Sequence, residues 1–316
     1  MQLLKYVIPL LGFFFCCKSS TNQDTSQLTT SDGKPPISSF STYNVSWSEI
    51  QQLGKTPYDY LIPYGEEELQ FGELRVPETS NTPFPLVVFI HGGCWQAAYN
   101  LNHVSAVCAD LVKEGYAVWT PEYRRIGDER GGYPNTFLDL QKSIKYISKL
   151  AEIYPVDVKK VFLLGHSAGG HLALWLSNQQ GLSKESPFYN NIPFVPQGVI
   201  SLAGITDLIA YDTLGNDCSE AVQQLMGGTP LVMQEQYQQI NPSTTLPDTI
   251  PIRLVHGDQD NIVPISQSEG YAKKAVLAGK DVKVITVEGG GHFDMVSPHS
   301  AAWQLIKAEL NTLAKR

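Results

Sequence analysis

The chain has 316 residues and a formal net charge of −8 at neutral pH, and 42% of its residues are hydrophobic. This length suits one large α/β domain with a tail, and the hydrophobic fraction is too low for a multi-spanning membrane protein. The acidic charge, with no basic cluster to offset it, argues against nucleic acid as a partner.

The first residues predict an export signal. Lys5 precedes an apolar run over residues 6–15, which is shorter than a membrane span and typical of a secretory signal. Cys16 and Cys17 follow, and a cysteine here indicates a bacterial lipoprotein, although phenylalanines stand where small residues are expected. Residues 1–18 are therefore interpreted as a signal or lipoprotein-type segment of an exported protein, periplasmic or anchored to a membrane through its N-terminus. An uncleaved anchor or a buried N-terminal segment is the alternative.

Residues 19–44 are rich in Ser, Thr, Gln and Pro, and this composition predicts a flexible tether before a folded domain over residues 45–316. Beyond the signal, the cysteines are Cys94, Cys108 and Cys218, so at least one thiol stays unpaired within the chain. A bond between Cys94 and Cys108 requires the helix between them to fold back, and the sequence leaves the pairing open.

The folded part opens with two predicted strands, residues 59–64 and 69–76, interpreted as a hairpin at the edge of a sheet. Apolar runs and amphipathic segments then alternate. The predicted strands are residues 86–90, 117–120, 161–164, 198–202, 250–255 and 282–287. The predicted helices are residues 102–114, 137–150, 171–176, 219–226, 233–239, 266–278 and 300–314.

This alternation predicts the α/β class, with a mostly parallel central sheet and helices on both of its faces. Loops at the carboxyl ends of the strands are then the expected place for a functional site. The less regular residues 211–247 are interpreted as a small cap inserted over that site.

The sequence Gly-His-Ser-Ala-Gly at residues 165–169 stands between a buried strand and a helix. That context predicts a nucleophile elbow, in which the turn exposes the Ser167 hydroxyl at the N-terminus of a helix. Glycines at both ends suit a strained turn that leaves no room for bulk. A plain glycine loop is the alternative, and the flanking strand and helix disfavour it.

A serine hydroxyl is a weak nucleophile that needs a base, and the base needs a carboxylate to orient it. The chain supplies Ser167, Asp260 and His292 in that order, each directly after a predicted strand. We predict these three as the catalytic residues. The other histidines are interpreted as structural, with His103 at the surface or at a helix end.

Other acids stand near the predicted base. Asp258 is two residues before Asp260, and the pattern H-G-x-x-D-x-x-V-P favours the later residue. Glu288 lies too close to His292 on one loop to be preferred, and Asp294 is interpreted as structural.

His-Gly-Gly at residues 91–93 follows a predicted strand and predicts an oxyanion hole, because glycine lets the backbone approach a substrate closely. The predicted donors are the amides of Gly93, Cys94 and Ala168. Cys94 as the nucleophile is a disfavoured alternative, since it has no assigned base.

Trp95 and Phe293 are the predicted substrate-binding residues, with Tyr99 as a further member of an aromatic wall. Arg124 and Arg125 follow another strand end. A buried glutamate–arginine pair that braces the site is the preferred interpretation, and contact with a substrate carboxylate is the alternative.

The motifs HGGCW (91–95), PEYRR (121–125), GHSAGGHLAL (165–174), HGDQDNIVP (256–264) and GGGHFD (289–294) resemble those of the α/β-hydrolase superfamily. Within it, they are similar to the branch that contains kynurenine formamidases and bacterial esterases related to feruloyl and acetyl-xylan esterases. The resemblance covers residues 69–316 and implies the α/β-hydrolase fold. It also implies serine hydrolase chemistry with neither a metal nor a cofactor.

We therefore predict a serine hydrolase that cleaves a small-molecule carboxylic ester through an acyl-enzyme intermediate. Amide hydrolysis, as in an arylformamidase, is the alternative within enzymes. A non-catalytic surface binding protein on a hydrolase fold is the alternative of another class, and the presence of all three predicted catalytic residues argues against it. Acyl-chain length and oligomeric state do not follow from the sequence.

Overall fold

A computed structural model describes residues 41–78, 82–178, 184–189, 194–247 and 249–316, apart from the side chain of residue 217. The predicted signal over residues 1–18 and most of the predicted tether over residues 19–44 lie outside these ranges. No helix within them is long and apolar enough to cross a membrane.

The strands that the structure describes form one mixed sheet in the order β1-β2-β4-β3-β5-β6-β7-β8. Their bounds are β1 Tyr60–Pro63, β2 Phe71–Arg75, β3 Phe84–Ile90, β4 Ala117–Pro121, β5 Val156–His166, β6 Gly198–Leu202, β7 Ile252–Gly257 and β8 Val282–Val287. The first two strands form an antiparallel pair at one edge, and β3 to β8 are parallel to one another. The predicted α/β class and mostly parallel sheet are confirmed.

The α-helices in the described ranges are α1 Trp47–Leu53, α2 Ser105–Lys113, α3 Asn135–Ile153, α4 Ala168–Ser177, α5 Leu208–Asp212, α6 Asp217–Met226, α7 Gln234–Ile240, α8 Ser266–Leu277 and α9 Ala301–Ala314. Sequence patterns did not predict α1 and α5, which have seven and five residues. Helices this short carry too few turns to show a hydrophobic period.

The apolar runs in the strands fill both faces of the sheet. Along β3, Leu86 and Val88 pack into one hydrophobic cluster, while Val87 and Phe89 pack into a second cluster. Side chains alternate between the faces of a strand, so a strand covered on both sides must be apolar throughout. This burial explains why residues 86–90 show no polar alternation.

A disulfide joins the loop after β3 to the 211–247 insertion. Cys94 pairs with Cys218 at the start of α6, with the two Cα atoms 5.2 Å apart. The sequence left the partner of Cys94 open, and the structure shows that it is not Cys108, because α2 packs the Cys108 thiol onto the sheet, 3.4 Å from Thr120 Oγ1. Cys108 is a buried free cysteine, and burial raises the pKa of its thiol to about 11.

Candidate active site

The turn between β5 and α4 holds Ser167 in a strained conformation, with φ 57° and ψ −120°. A Cβ atom at Gly165 would collide with the backbone of Gly169, and one at Gly169 would collide with the carbonyl group of Ile90. Only glycine fits at both positions, as a nucleophile elbow requires. The turn places Ser167 at the amino end of α4.

Ser167 and His292 line the same cavity, although 125 residues separate them in the chain. His292 Nδ1 lies 2.7 Å from Asp260 Oδ2. Both side chains are almost fully shielded from solvent, with exposed fractions of 4% and 0%. The structure therefore brings the predicted serine, histidine and aspartate to one place.

The loop after β7 fixes the Asp260 carboxylate. Its Oδ1 accepts hydrogen bonds from the backbone amides of Ile262 and Val263, at 2.9 and 2.8 Å. Burial alone raises the pKa of Asp260, but the charges and hydrogen bonds of His292 and His256 outweigh it and hold the pKa well below its usual value. The carboxylate is therefore ionised and can stabilise a positive charge on His292.

The alternative acids serve other purposes. Asp258 Oδ1 accepts the backbone N–H of Gly289 at 2.8 Å and so ties two loops together. The Asp294 carboxylate accepts the backbone N–H of Gly291 at 3.0 Å. Glu288 is exposed. Of the four acids on these two loops, Asp260 is the one that hydrogen-bonds to the His292 ring.

His166, inside the elbow, faces the histidine loop. Its Nε2 lies 3.0 Å from the backbone oxygen of His292, and the two ring centroids are 4.6 Å apart. Burial and the charge of His292 lower the pKa of His166 well below its usual value. A neutral ring with its proton on Nε2 donates to the His292 carbonyl and holds that loop beside the elbow.

The oxyanion-hole candidates surround Ser167. Gly93 and Cys94 line the cavity, and Ala168 opens α4. At Gly92, an added Cβ atom would lie 2.6 Å from the His166 carbonyl oxygen, so the backbone approaches the elbow closely. Amides in the first turn of a helix have no acceptor within that helix, and the helix dipole favours a negative charge at the N-terminus.

A buried ion network braces the loop after β3. His91 Nε2 lies 2.8 Å from Glu122 Oε1, and Arg125 Nη1 lies 3.3 Å from the same oxygen. Arg124 binds Asp139 at 2.6 Å. These side chains are buried, and both arginines are paired with acids. The bracing interpretation is therefore favoured over contact with a substrate carboxylate.

The cavity has a volume of about 320 Å³. Its lining residues are Trp47, Gly93, Cys94, Tyr99, His103, His166, Ser167, Ile262, His292 and Phe293. Phe293 and Tyr99 thus lie where the sequence placed an aromatic wall. His103 lies in the last turn of the short 3-10 helix Leu101–Val104, as one predicted alternative had it, and its half-buried ring lines the cavity. Burial lowers the pKa of His103 to about 3.

Trp95 is not a wall of this cavity. It is fully buried in the core and packs edge-on against the His171 ring of α4, with centroids 5.4 Å apart. Cys94 and Trp95 both have positive φ values, 51° and 56°. These two left-handed residues turn the chain back, so the indole points to the core.

Trp47 supplies the aromatic surface that the sequence assigned to Trp95. It was missed because it precedes every recognised motif. A signal was present: Ser46 and Glu49 have capping-box spacing and do form a capping box at the start of α1. That pattern predicts a helix in a segment that is otherwise polar.

Comparison with known proteins identifies the family. Residues 73–275 match the BD-FAE family model, which is more than half of the chain. The chain belongs to the BD-FAE family. The match includes Ser167 and Asp260, whereas Trp47 precedes it and His292 follows it.

Individual relatives of known name are also hydrolases. A probable isoprenylcysteine alpha-carbonyl methylesterase of Arabidopsis thaliana is 24% identical over 74% of this chain and 50% of its own length. The chain therefore spans about half the length of that relative. A kynurenine formamidase of Salmo salar is 28% identical over 74% of each chain.

A solved structure supports the BD-FAE fold. The truncated form of a carbohydrate esterase from gut microbiota superimposes with a TM-score of 0.71 at 22% identity, covering 83% of this chain and 100% of that one. Identity at this level shows the fold alone. The α/β-hydrolase fold implied by the sequence motifs is thereby confirmed.

Proposed function

We propose that this protein is a carboxylic ester hydrolase with Ser167 as nucleophile, His292 as base and Asp260 as the acid that orients the base. The observation that carries the proposal is the 2.7 Å contact between His292 Nδ1 and Asp260 Oδ2 at a cavity that also holds a strained serine. A proton on Nδ1 leaves Nε2 of His292 free to accept the serine proton.

In the first half of the reaction, Ser167 Oγ attacks the carbonyl carbon while His292 Nε2 takes the hydroxyl proton. The amides of Gly93, Cys94 and Ala168 stabilise the resulting oxyanion. The carbon–oxygen bond to the alcohol then breaks, and His292 returns the proton to the departing alcohol. An acyl group remains on Ser167.

In the second half, water attacks the acyl-enzyme and His292 takes its proton. Collapse of this second tetrahedral species breaks the bond to Ser167, which regains its proton, and the carboxylic acid leaves. Removal of one oxyanion-hole donor typically lowers kcat by a factor of about 10²–10³.

Two observations bear on the substrate class. The Arabidopsis relative is named a methylesterase and the superimposed structure a carbohydrate esterase, which favours an ester as the substrate. The Salmo salar relative is named a kynurenine formamidase, and an aromatic-walled cavity also suits an arylformamide. Amide hydrolysis by the same three residues is the second candidate.

A fluorophosphonate probe tests the nucleophile. We expect Ser167 to be labelled, and a Ser167→Ala variant to take no label and to lose ester hydrolysis. Absence of label under conditions that label a control esterase would leave the non-catalytic binding protein as the better hypothesis. Rates for acetyl, butyryl and feruloyl esters beside N-formylkynurenine then decide between ester and formamide, and turnover of the formamide alone reverses our ranking.

We also propose that the protein is exported. The disulfide between Cys94 and Cys218 supports this, because such bonds persist in oxidising compartments. Mass analysis of the mature N-terminus tests it. Cleavage before Cys16 or Cys17 with an added lipid mass supports a lipoprotein, whereas an intact Met1 contradicts a cleaved signal and favours the uncleaved anchor or the buried N-terminal segment.

A further inference from the structure

We propose that Trp47 is a specificity-determining residue of the esterase, and that Asp294 positions it. This inference rests on the proposed function. Trp47 lies before the residues that match the family, yet it lines the cavity that contains Ser167 and His292.

The segment that carries Trp47 is tied to the histidine loop by one carboxylate. Asp294 accepts the backbone N–H groups of Asn44 and Val45, each at 2.9 Å, and that of Gly291 at 3.0 Å. The side chain of Asp294 is fully buried. A buried carboxylate with three such donors fixes the relative positions of the two segments.

Packing completes the attachment of α1. Val45, Ile50 and Leu53 are buried in the hydrophobic cluster on one face of the sheet. The Trp47 indole meets three other rings, those of Phe293, His103 and Tyr99, at centroid distances of 5.3, 5.5 and 5.6 Å. The indole is thus held on several sides.

Trp47 stands between two cavities. A second cavity, also of about 320 Å³, shares Trp47, Tyr99 and His103 with the catalytic one. Its other walls include the amide side chains of Gln51 and Asn102. These aromatic residues form a partition between the serine and the additional space.

The rest of the partition is fixed independently of α1. The Tyr99 carbonyl accepts a hydrogen bond from Arg125 Nη1 at 2.5 Å, and His103 Nδ1 lies 2.7 Å from the Asn100 carbonyl oxygen. Loss of the indole therefore opens the partition, while these bonds still hold the backbone at Tyr99 and the ring of His103. Substrates with longer groups would then gain space, while short ones would lose an aromatic contact.

The experiment compares kcat/KM for p-nitrophenyl octanoate and p-nitrophenyl acetate in the full-length protein. For Trp47→Ala, we expect the octanoate-to-acetate ratio to rise at least about tenfold, because contacts in apolar pockets discriminate on this scale. Trp47→Phe should give an intermediate ratio. Tyr43→Ala is the matched control, since it removes an exposed ring from the same segment and should leave the ratio unchanged.

An unchanged ratio in Trp47→Ala overturns the inference while fluorophosphonate labelling still upholds the proposed function. Failure of the wild type to be labelled or to hydrolyse either ester overturns both. If Trp47→Ala does not fold, Trp47→Phe decides, because its ratio must still exceed that of the wild type.

Asp294 is tested by a double-mutant comparison. We expect Asp294→Asn to raise the same ratio in the wild type and to add nothing in the Trp47→Ala background. A general disturbance of the neighbouring His292 affects both esters and cancels in the ratio. An equal shift in both backgrounds would reject the positioning role.

Discussion

At the scale of single residues, contact with His292 distinguishes the proposed catalytic acid, Asp260, from its acidic neighbours. Asp258, Asp260 and Asp294 lie on two adjoining loops, but Asp258 and Asp294 bind backbone amides while Asp260 meets the histidine ring. The two carboxylate oxygens of Asp260 have different partners. One accepts hydrogen bonds from loop amides, and the other contacts the histidine. The loop thereby holds the carboxylate in place for His292.

We expect Asp260→Asn to lower kcat by about 10⁴, because an amide favours the wrong tautomer of the histidine. Asp258→Asn is the matched control and should retain nearly full activity, since Asp258 contacts Gly289 and its own loop. Steady-state hydrolysis of a p-nitrophenyl ester measures both variants. A large loss in Asp258→Asn with Asp260→Asn unaffected would show that the acid is misassigned.

The two tryptophans show what a sequence motif leaves open about a single side chain. Trp95 belongs to the HGGCW motif and is buried, whereas Trp47 belongs to no recognised motif and lines the cavity. The direction of the Trp95 indole depends on two left-handed φ values, which the residue types do not indicate. The motif therefore predicted the position of the loop after β3 correctly, but not the direction of the Trp95 ring.

At the scale of elements, the disulfide links the loop after β3 to the insertion. Cys94 follows the predicted oxyanion donor Gly93, and Cys218 lies in the first turn of α6. Tyr211 and Asn216 add hydrogen bonds to the backbone oxygen of Ile262, which lines the cavity. The insertion is thus held at two points of the cavity wall.

We expect Cys218→Ser to lower the free energy of unfolding by about 2–5 kcal/mol, because the bond closes a loop of 124 residues that is otherwise free in the unfolded chain. Thermal melting with and without dithiothreitol measures this, and the variant should no longer respond to the reductant. Cys108→Ser is the control and should keep the wild-type response, since Cys108 is not in the disulfide. Equal sensitivity of Cys218→Ser and the wild type would contradict the bond.

At the scale of the whole molecule, several histidines are buried within the fold. His91, His171 and His256 are each fully shielded from solvent, and each has a hydrogen-bonding partner. His171 Nε2 lies 2.9 Å from the Ile240 carbonyl oxygen and joins α4 to α7. Burial lowers the pKa of His171 from 6.5 to about 4.

This shift predicts that stability falls in mild acid. Below pH 6.5 the unfolded chain binds a proton at His171 that the folded protein excludes until about pH 4, so the free energy of unfolding decreases across that window. Between pH 7 and pH 5, this one residue accounts for about 2 kcal/mol. In His171→Gln, the side-chain amide can still donate to Ile240. Between pH 7 and pH 5, the free energy of unfolding of this variant, measured with urea, should fall by that much less than that of the wild type. An unchanged pH dependence would show that His171 does not remain neutral.

Much of the architecture followed from the sequence, because apolar runs and amphipathic segments encode strand and helix locally. The strand over residues 282–287 has the predicted bounds, and the antiparallel pair at the edge of the sheet was also predicted. The short helices α1 and α5 were not predicted, because only their capping residues indicate a helix and they are too short to show hydrophobic periodicity.

By itself, the sequence determined the fold class and the elbow around Ser167, and it predicted the order of serine, acid and histidine, because each strand, helix and loop motif is encoded by neighbouring residues. The tertiary structure alone decided the partner of Cys94, the burial of Trp95 and the arrival of Trp47 at the cavity. Each of these joins segments far apart in the chain. Such contacts are set by how the helices pack on the sheet, and no local pattern of residues records that.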